Sequence, residues 1–358
     1  MKQSAHRILS RFHLPSWRRG ECCIFKPDAL GDLILATGAI QRLNRHFGAG
    51  NCTLITSKAN HECAEYLFPH NPKINTGHSF GGRQHGEPLS SLFRVMPRLS
   101  RARFNTLVCL RHQRLPLHQA MLLTWIKAHR QFGVNSPQAP SWDRFREADI
   151  SYPGPGTQRN GACLELEAHA AVLSQCTGVQ FTGADLKPKL ETMPGEGYLL
   201  FNPYGSEEKK QCPIPKWVEI VDAIERDIPG QICRVSCPPG KLLEARATFR
   251  SRVMPTASFR EYYESVARAR AVVTIDTATA HLGIAMDKPS VVLIGGAQFG
   301  MFGPWKTSER QMWIHHDLPC YQCHWHCSQP EATCLTAINP KQVISSVKAL
   351  LADAGHGK

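Results

Sequence analysis

A cluster of polar side chains, Asp276, Thr277, Thr279 and His281, lies between two β-branched apolar runs in the C-terminal half of the chain. Such runs predict buried strands of a parallel sheet, joined here by a short helix. The cluster would then fall where the first strand ends and the helix begins, which is the edge at which open α/β sheets bind ligands. A helix N-terminus also attracts anions through its N–H groups and its dipole. The pattern predicts a site for a phosphorylated ligand, although Asp276 and Thr277 could instead cap the helix and His281 could be an ordinary helix residue.

A second candidate group is the segment 26–33, Lys-Pro-Asp-Ala-Leu-Gly-Asp-Leu, near the start of the chain. An apolar strand precedes this segment, Gly31 permits a tight turn, and Asp32 would begin a helix. The helix dipole would keep the Asp32 carboxylate ionised, and an ionised carboxylate at a cleft edge can serve as a general base. The alternative is that Asp32 only caps the helix.

A third candidate group follows the strand that ends at Asn202, where a loop carries Gly205, Ser206, Lys209 and Lys210. Small residues let backbone amides approach a phosphate, and a lysine supplies a positive charge. The loop lacks the spacing of a P-loop, and neither half of the chain carries Gly-x-Gly-x-x-Gly. The sequence therefore argues against an ordinary nicotinamide-dependent dehydrogenase.

A fourth group consists of four of the fourteen cysteines, with the spacing Cys-x2-Cys-x3-Cys-x6-Cys near the C-terminus. Four thiols within fifteen residues could form a tetrahedral site for structural zinc or iron. His324 and His326 are alternative ligands, and a reduced loop or a disulfide pair is the alternative to a metal. The four residues are Cys320, Cys323, Cys327 and Cys334.

Two sets of alternating strands and helices would position these groups. In the first set, a strand over 22–26 leads into a helix over 32–47, with apolar residues at helical spacing. The alternation restarts with a strand over 198–202 after a linker rich in Pro and Gly. The pattern predicts an α/β protein of two Rossmann-like halves. The predicted units are an N-terminal domain over 1–181, a linker over 182–197, a C-terminal domain over 198–338 that includes the cysteine segment 320–334, and a terminal helix over 339–358.

Composition limits the classes of protein that fit. The chain has 358 residues, with 42 Lys or Arg against 29 Asp or Glu, and its net charge of +13 favours polyanionic partners. Eighteen consecutive apolar residues occur nowhere, and the basic N-terminus lacks the apolar core of a secretory signal, so neither a transmembrane helix nor export is expected. The ten cysteines outside the fourth group are then expected to be reduced, buried small hydrophobes.

Three of these segments together resemble glycosyltransferase family 9, the ADP-heptose:lipopolysaccharide heptosyltransferases and their relatives. The resemblance extends from about residue 22 to about residue 350. It is carried by residues 26–37, 202–213 and 276–282, with Lys-Pro at 288–289. It implies a GT-B fold, in which two Rossmann-like domains with parallel sheets face each other across a cleft, and transfer of heptose with inversion.

The resemblance also implies roles for single residues. Asp32 matches the proposed catalytic base of the family, and Lys210 matches a lysine that contacts phosphate. An aromatic residue that usually follows this lysine is Cys212 here, so Lys209 remains a second candidate. The residues implied to bind the donor are Gly205, Ser206, Lys210, Asp276, Thr277, Ala278 and His281.

Two features of the implied donor site affect its chemistry. Ala278 stands where the family usually has glycine, which leaves less room for a diphosphate near the backbone. Charge on the leaving diphosphate would be stabilised by Lys210, by loop amides and by the helix after Asp276. Because these groups are positive and the chain has no Asp-x-Asp motif, no cofactor is expected to be needed for catalysis.

The function expected from the resemblance is transfer of heptose from ADP-heptose, a nucleotide-sugar donor, to a lipopolysaccharide core or a similar anionic glycolipid. The enzyme would be cytoplasmic, and peripheral at the inner face of a bacterial inner membrane. Alternatives are a protein acceptor such as an autotransporter, an inactive transferase-like scaffold, and an anion- or nucleic-acid-binding module. Nucleic acid is disfavoured as a partner because few basic residues surround the cysteines.

Overall fold

The computed structural model describes residues 20–78, 89–111, 117–134, 146–147, 164–205, 208–323, 326–329 and 331–353. Within these residues the chain forms two six-stranded sheets in which every pairing is parallel. Sheet A contains β1 (Gly20–Phe25), β2 (Cys52–Thr56), β3 (Lys73–Asn75), β4 (Arg103–Cys109), β5 (Lys127–Gly133) and β6 (Arg146–Glu147). Sheet B contains β7 (Leu199–Asn202), β8 (Cys233–Cys237), β9 (Val253–Pro255), β10 (Ala271–Ile275), β11 (Ser290–Leu293) and β12 (Gln311–Ile314).

Both sheets have the same topology. The strand order is β3-β2-β1-β4-β5-β6 in sheet A and β9-β8-β7-β10-β11-β12 in sheet B. The order reverses between β1 and β4 in the first sheet and between β7 and β10 in the second. Loops diverge at such a switch point and leave a crevice at the carboxyl edge, where ligands bind. The predicted α/β fold of two Rossmann-like halves is confirmed.

Helices connect the strands and cover the sheets. The helices of the N-terminal half are α1 (Leu30–Leu35), α2 (Thr37–Phe47), α3 (His61–Leu67), α4 (Met96–Arg101), α5 (Leu117–Trp125) and α6 (Leu164–Thr177). Those of the C-terminal half are α7 (Ile214–Asp227), α8 (Leu242–Phe249), α9 (Phe259–Arg268), α10 (Ala278–Ala285), α11 (Thr333–Thr336) and α12 (Pro340–Asp353).

The two faces of sheet A pack against different layers. Cys22 and Ile24 of β1 belong to a core cluster that includes residues of α2, α3 and α6 and also residues of the C-terminal half. Their neighbours Cys23 and Phe25 point to the other face and pack against residues 92–99 and α5. The layer formed by residues 92–99 and α5 therefore lies on the outside of the N-terminal half, away from sheet B.

One predicted helix is divided. The helix expected over 32–47 is two helices, α1 and α2, separated at Ala36. The Ala36 N–H donates to the carbonyls of both Asp32 and Leu33 at 3.1 Å, which tightens the last turn of α1. Asp32 consequently lies in a helix of six residues rather than in a long one.

The segment expected to be a linker is attached to the C-terminal half. The N–H groups of Leu190, Met193 and Glu196 donate to carbonyls at the ends of α9 and α10 at 2.9 to 3.3 Å. The domain boundaries at 181 and 198 stay predictions.

Two expectations from composition concern the cysteines and the membrane. All thirteen cysteines in the described residues are free, and the nine that precede Cys320 are buried, as expected for reduced small hydrophobes. Among the described helices, none combines the length and apolar character needed to cross a bilayer.

Candidate active site

Residues 26–37 and 276–282, two of the segments that carry the family resemblance, meet in the structure, although they belong to different halves of the chain. A Cβ placed on Gly31 of α1 would lie 3.2 Å from Cδ2 of His281 and 3.5 Å from the backbone N of Ala278. Both of those residues belong to α10. The glycine therefore lets the two helix N-termini approach each other, which brings Asp32 to the same cleft as His281.

Asp32 is half-buried, and its Oδ2 accepts a hydrogen bond of 3.2 Å from the N–H of Ala29. The carboxyl group thus satisfies one N–H at the start of α1, as the capping interpretation predicted. Burial raises the pKa of Asp32 to about 6, and the carboxylates of Asp28 and Glu165 add to this rise while Lys26 opposes it. The helix dipole was expected to keep this carboxylate ionised, and desolvation acts in the opposite direction by favouring its neutral form. A carboxyl with this pKa is poised to exchange a proton near neutral pH.

A buried cluster of charges lies beneath Asp32, at the carboxyl ends of β1 and β4. The Lys26 Nζ contacts Glu165 Oε1 at 2.6 Å and Asp28 Oδ2 at 3.1 Å, and it donates to the carbonyl of Leu110 at 2.8 Å. Lys26, Asp28 and Glu165 are each at most 2 % exposed. Burial alone would lower the pKa of Lys26, but the two carboxylates overcome this and raise it, so the lysine is cationic. Charges buried this deeply are found mainly where function requires them.

Arg111 and His169 complete this cluster. Arg111 pairs with Asp28, and together with Lys26 it holds the pKa of Asp28 below its ordinary value despite burial. His169 Nε2 lies 2.9 Å from the Leu110 carbonyl and 3.2 Å from Glu165 Oε1, and burial lowers the pKa of this histidine. Two cations therefore balance two carboxylates, and Asp32 is the additional carboxyl. This count explains why its pKa rises while that of Asp28 falls.

On the other side of the cleft, His281 is oriented by Trp305. The indole Nε1 of Trp305 donates to His281 Nδ1 at 3.0 Å. Because an indole N–H can only donate, Nδ1 must be unprotonated and the proton of the neutral ring is on Nε2. Burial, assisted by the charge of Lys210, lowers the pKa of His281 and favours this neutral form.

Asp276 has an oxygen available for a ligand. His281 Nε2 lies 3.8 Å from Asp276 Oδ1, too far for a direct hydrogen bond. This oxygen is buried and has no hydrogen-bond partner among the described residues. A hydroxyl of a bound molecule would supply the missing donor.

The start of α10 is held by hydroxyl groups. Thr277 occupies the N-cap position, but its side chain makes no capping bond and its hydroxyl lies 3.3 Å from the Ile275 carbonyl instead. Thr279 is buried and binds both the amide of Asn202 on β7 and the hydroxyl of Tyr262 on α9. The capping interpretation is therefore correct for the position of Thr277 and not for its side chain, which leaves the N-terminus of α10 without a side-chain cap.

Lys210 and Asp276 line one small pocket with Gln298 and Gly295. Lys210 Nζ donates to Gln298 Oε1 at 3.3 Å, whereas the neighbouring Lys209 is exposed. Lys210, rather than Lys209, therefore faces the pocket beside Asp276.

The remaining residues of the implied donor loop differ in what the structure describes. A Cβ on Gly205 would lie 3.1 Å from Ile275 Cδ1, so the loop packs closely on the end of β10. Ser206 lies outside the described residues.

The cysteine segment packs behind this pocket. A Cβ on Gly295 would lie 3.4 Å from the Cys334 Sγ, and burial raises the pKa of the Cys334 thiol, with Cys327 and Cys320 adding to the rise. Among the described residues, however, no three or more His, Cys, Asp or Glu side chains are gathered as a metal would require. A metal held by Cys320, Cys323, Cys327 and Cys334, with His326 as an alternative ligand, therefore stays a prediction, and His324 lies outside the described residues.

Sequence reasoning missed several residues of the site. Arg111 is one of them, and it pairs with Asp28. Lys26 was part of a recognised motif, and its position directly after a buried strand was a usable signal. Glu165 and Trp305 gave no signal, because their partners Lys26 and His281 are distant in sequence.

The family model "Glycosyltransferase family 9 (heptosyltransferase)" matches residues 103–332, more than half of the chain. Lipopolysaccharide heptosyltransferase 1 of Pseudomonas aeruginosa is 26% identical over 192 residues, which cover 47% of this chain and 52% of the relative. The chain thus matches about half the length of this curated relative.

Solved structures share the fold. The family 9 glycosyltransferase of Veillonella parvula is 17% identical with a TM-score of 0.65, covering 94% of this chain and 99% of that one. Escherichia coli heptosyltransferase WaaC with ADP-2-deoxy-2-fluoro heptose is 16% identical, with a TM-score of 0.59 and coverage of 93% and 99%. The iron-containing dodecameric glycosyltransferase TibC of enterotoxigenic E. coli is 12% identical, with a TM-score of 0.52 and coverage of 95% and 78%. With the family model matched over most of its length, the chain belongs to glycosyltransferase family 9, the heptosyltransferase family.

Proposed function

We propose that this protein transfers heptose from ADP-heptose to an anionic glycolipid such as a lipopolysaccharide core, with inversion at the anomeric carbon. The observation that carries the proposal is the contact between α1 and α10 at Gly31. This contact sets a carboxyl with a pKa of about 6 beside the helix N-terminus that would bind the donor. Transfer between two substrates requires a base that activates the acceptor and an anion site that holds the diphosphate of the donor. Here the two would lie on facing halves of the protein.

The reaction follows from these positions. The carboxylate of Asp32 takes the proton of the acceptor hydroxyl. At the same time, the oxygen of that hydroxyl attacks the anomeric carbon from the face opposite the diphosphate. The bond from that carbon to the diphosphate oxygen breaks, and its electron pair leaves with ADP. Lys210 and the N–H groups at the start of α10 stabilise the charge that develops on the diphosphate. Asp276, through its unpartnered oxygen, would accept a donor hydroxyl.

Relatives support this choice of substrates. The curated relative is a lipopolysaccharide heptosyltransferase, and WaaC shares the fold and binds an ADP-heptose analogue. With a lipid acceptor of this kind, the protein would act at the inner face of a bacterial inner membrane.

A ligand screen followed by a transfer assay tests the proposal. ADP-heptose at a hundred times its Kd should stabilise the folded protein by about 2.7 kcal/mol, seen as a rise in melting temperature. UDP- and GDP-sugars at equal concentration should give a smaller rise. Mass spectrometry of heptose-deficient lipopolysaccharide should then show the mass of one added heptose. If ADP-sugars neither bind nor react, the protein is not a heptosyltransferase.

A protein acceptor is the alternative within the same reaction class. Donor binding together with heptose on a protein, and none on lipopolysaccharide, would contradict the proposed acceptor and keep the proposed chemistry.

A structural zinc or iron at the four cysteines is a separate proposal. Their spacing and the iron-containing TibC favour it, whereas the described thiols are not gathered around one point. No step of the reaction is assigned to this metal. The proposal expects about one metal per chain in protein purified without an affinity tag. Elemental analysis that finds less than half of that amount would contradict it.

A further inference from the structure

The positive charge of the chain is concentrated in a run without acidic residues. From Pro88 to Trp142, 55 residues contain no Asp or Glu and eight Lys or Arg. This run therefore contributes +8 of the net charge of +13. Its described parts form α4, β4, α5 and β5, which belong to sheet A and its outer layer.

The cations are displayed by a helical stretch that buries only its apolar side. Leu92, Val95 and Leu99 are at most 3 % exposed and pack against sheet A. Their spacing of three and four residues defines the inward side of the stretch. Several side chains on the opposite side of the stretch are exposed. We call this the basic outer surface, and its members are Phe93, Arg94, Arg98 and Arg101.

Several cations of the C-terminal half have acidic partners. Arg252, for example, pairs with Glu225 at 2.7 Å and with Asp222 at 2.7 Å. Across the described ranges, the arginines of the basic outer surface and the exposed Lys127 make no ion pair. No described acidic residue pairs with these cations, so their field is available to an external anion.

An exposed aromatic residue lies among these arginines. Phe93 is 55 % exposed, and its ring centroid is 6.3 Å from that of the half-buried Trp125. Exposed aromatic rings beside Lys and Arg are the composition of surfaces that lie at the level of lipid headgroups. The surface also faces away from sheet B, so an object bound to it would not obstruct the cleft.

We propose that the basic outer surface docks this protein on a bilayer rich in anionic phospholipid, with Phe93 entering the headgroup region. The inference rests on the proposed lipid acceptor, which would be presented by such a bilayer. The negative surface potential of the leaflet attracts the arginine side chains, and this attraction weakens as salt screens it.

Sedimentation with vesicles tests this inference with the full-length chain. The protein should bind vesicles of phosphatidylglycerol and phosphatidylcholine, and binding should fall as salt rises. Pure phosphatidylcholine vesicles should not bind it. The triple variant Arg94→Gln, Arg98→Gln, Arg101→Gln should bind about a hundredfold more weakly, since each cation near the surface contributes about fivefold.

A matched control removes the same charge elsewhere. Lys187→Gln, Arg246→Gln and Lys341→Gln replace three exposed cations outside the acid-free run. This control triple should bind vesicles as the wild type does. Equal losses in both triples would overturn the proposal, because binding would then reflect net charge alone. Binding to duplex DNA that depends on the same arginines, without vesicle binding, would also overturn it.

Failure of this inference can be separated from failure of the proposed function. The arginine triple should keep the melting-temperature rise that ADP-heptose produces. If that rise is absent in the wild type while vesicle binding follows the arginines, the donor proposal is wrong and the docking surface stands. If the rise is present and the arginines do not affect vesicle binding, the docking surface is wrong.

Discussion

At the scale of single residues, the carboxyl of Asp32 is the group on which the proposed chemistry depends. Asp32→Asn keeps an oxygen that can accept the bond from the Ala29 N–H, so the start of α1 should be preserved. The variant should lose transfer by about 100-fold or more, since general-base catalysis contributes that much. ADP binding, measured by thermal shift, should not change. A loss below about tenfold would remove Asp32 from the role of base.

The pKa of Asp32 sets the acid limit of activity. Its pKa of about 6 means that lowering the pH through 6 protonates the base, so kcat/KM should fall with an apparent pKa near 6. Glu165 raises the pKa of Asp32, so Glu165→Gln should move this limit to lower pH. Gln can still accept the bond from Lys26 Nζ, which protects the fold. A pH profile that stays in place would show that the buried cluster does not act on the base.

Adjacent lysines give a matched test of the donor site. Lys210 lines the pocket that contains Asp276, and Lys209 is exposed on the same short turn. Lys210→Ala should reduce kcat/KM roughly 10- to 100-fold, because a lost bond to a charged group costs about 1.5–3 kcal/mol. Lys209→Ala should leave kcat/KM unchanged. The opposite result would identify Lys209 as the lysine that contacts the diphosphate.

At the scale of elements, sequence patterns predicted what a segment establishes by itself. The strand predicted over 198–202 and the start of the terminal helix at residue 339 were correct to within a residue, because apolar or periodic runs determine them. Strands β9 and β12 were missed, since each is three or four residues long and pairs with only one neighbour. Their sheet rather than their composition makes them strands.

The site residues likewise fall into those that a local sequence motif predicts and those that only tertiary packing brings together. Asp32 and His281 lie in local motifs that a sequence displays. The ion pair of Lys26 with Glu165 joins residues 139 positions apart. Buried residues occur on all sides of α6, so periodicity could not mark Glu165 as exceptional. Tertiary packing therefore supplied the part of the site that tunes the base.

The contact of α2 with residues 183–186 depends on a glycine. A Cβ on Gly38 would lie 2.7 Å from the carbonyl carbon of Leu186, closer than packed atoms can come. Gly38→Ala should therefore lower the free energy of unfolding by about 3 kcal/mol, the upper end for overpacking. Gly50→Ala is the control, because a Cβ there would meet nothing within 4 Å. Urea unfolding monitored by circular dichroism measures both, and equal stabilities would contradict the close contact.

At the scale of the whole molecule, the two halves share one apolar core. Ile24 of sheet A and Val272 of sheet B belong to the same cluster of buried residues. The two halves also meet through aromatic rings. The ring of Tyr66 on α3 lies 4.9 Å from that of Tyr263 and 5.7 Å from that of Phe259, both on α9. An apolar contact of this kind links the halves more firmly than the polar interfaces common between domains.

This shared core predicts that the halves unfold together. Circular dichroism and tryptophan fluorescence should report one urea transition with the same midpoint. Tyr66→Ala removes the ring between α3 and α9 and should lower the unfolding free energy by about 2 kcal/mol, less than a fully buried aromatic residue would cost. Tyr66→Phe keeps the ring and should unfold as the wild type does. Two separate transitions in the wild type would show that the core around Tyr66 does not couple the halves. In that case, binding of the substrates, rather than folding, would have to bring Asp32 and His281 together.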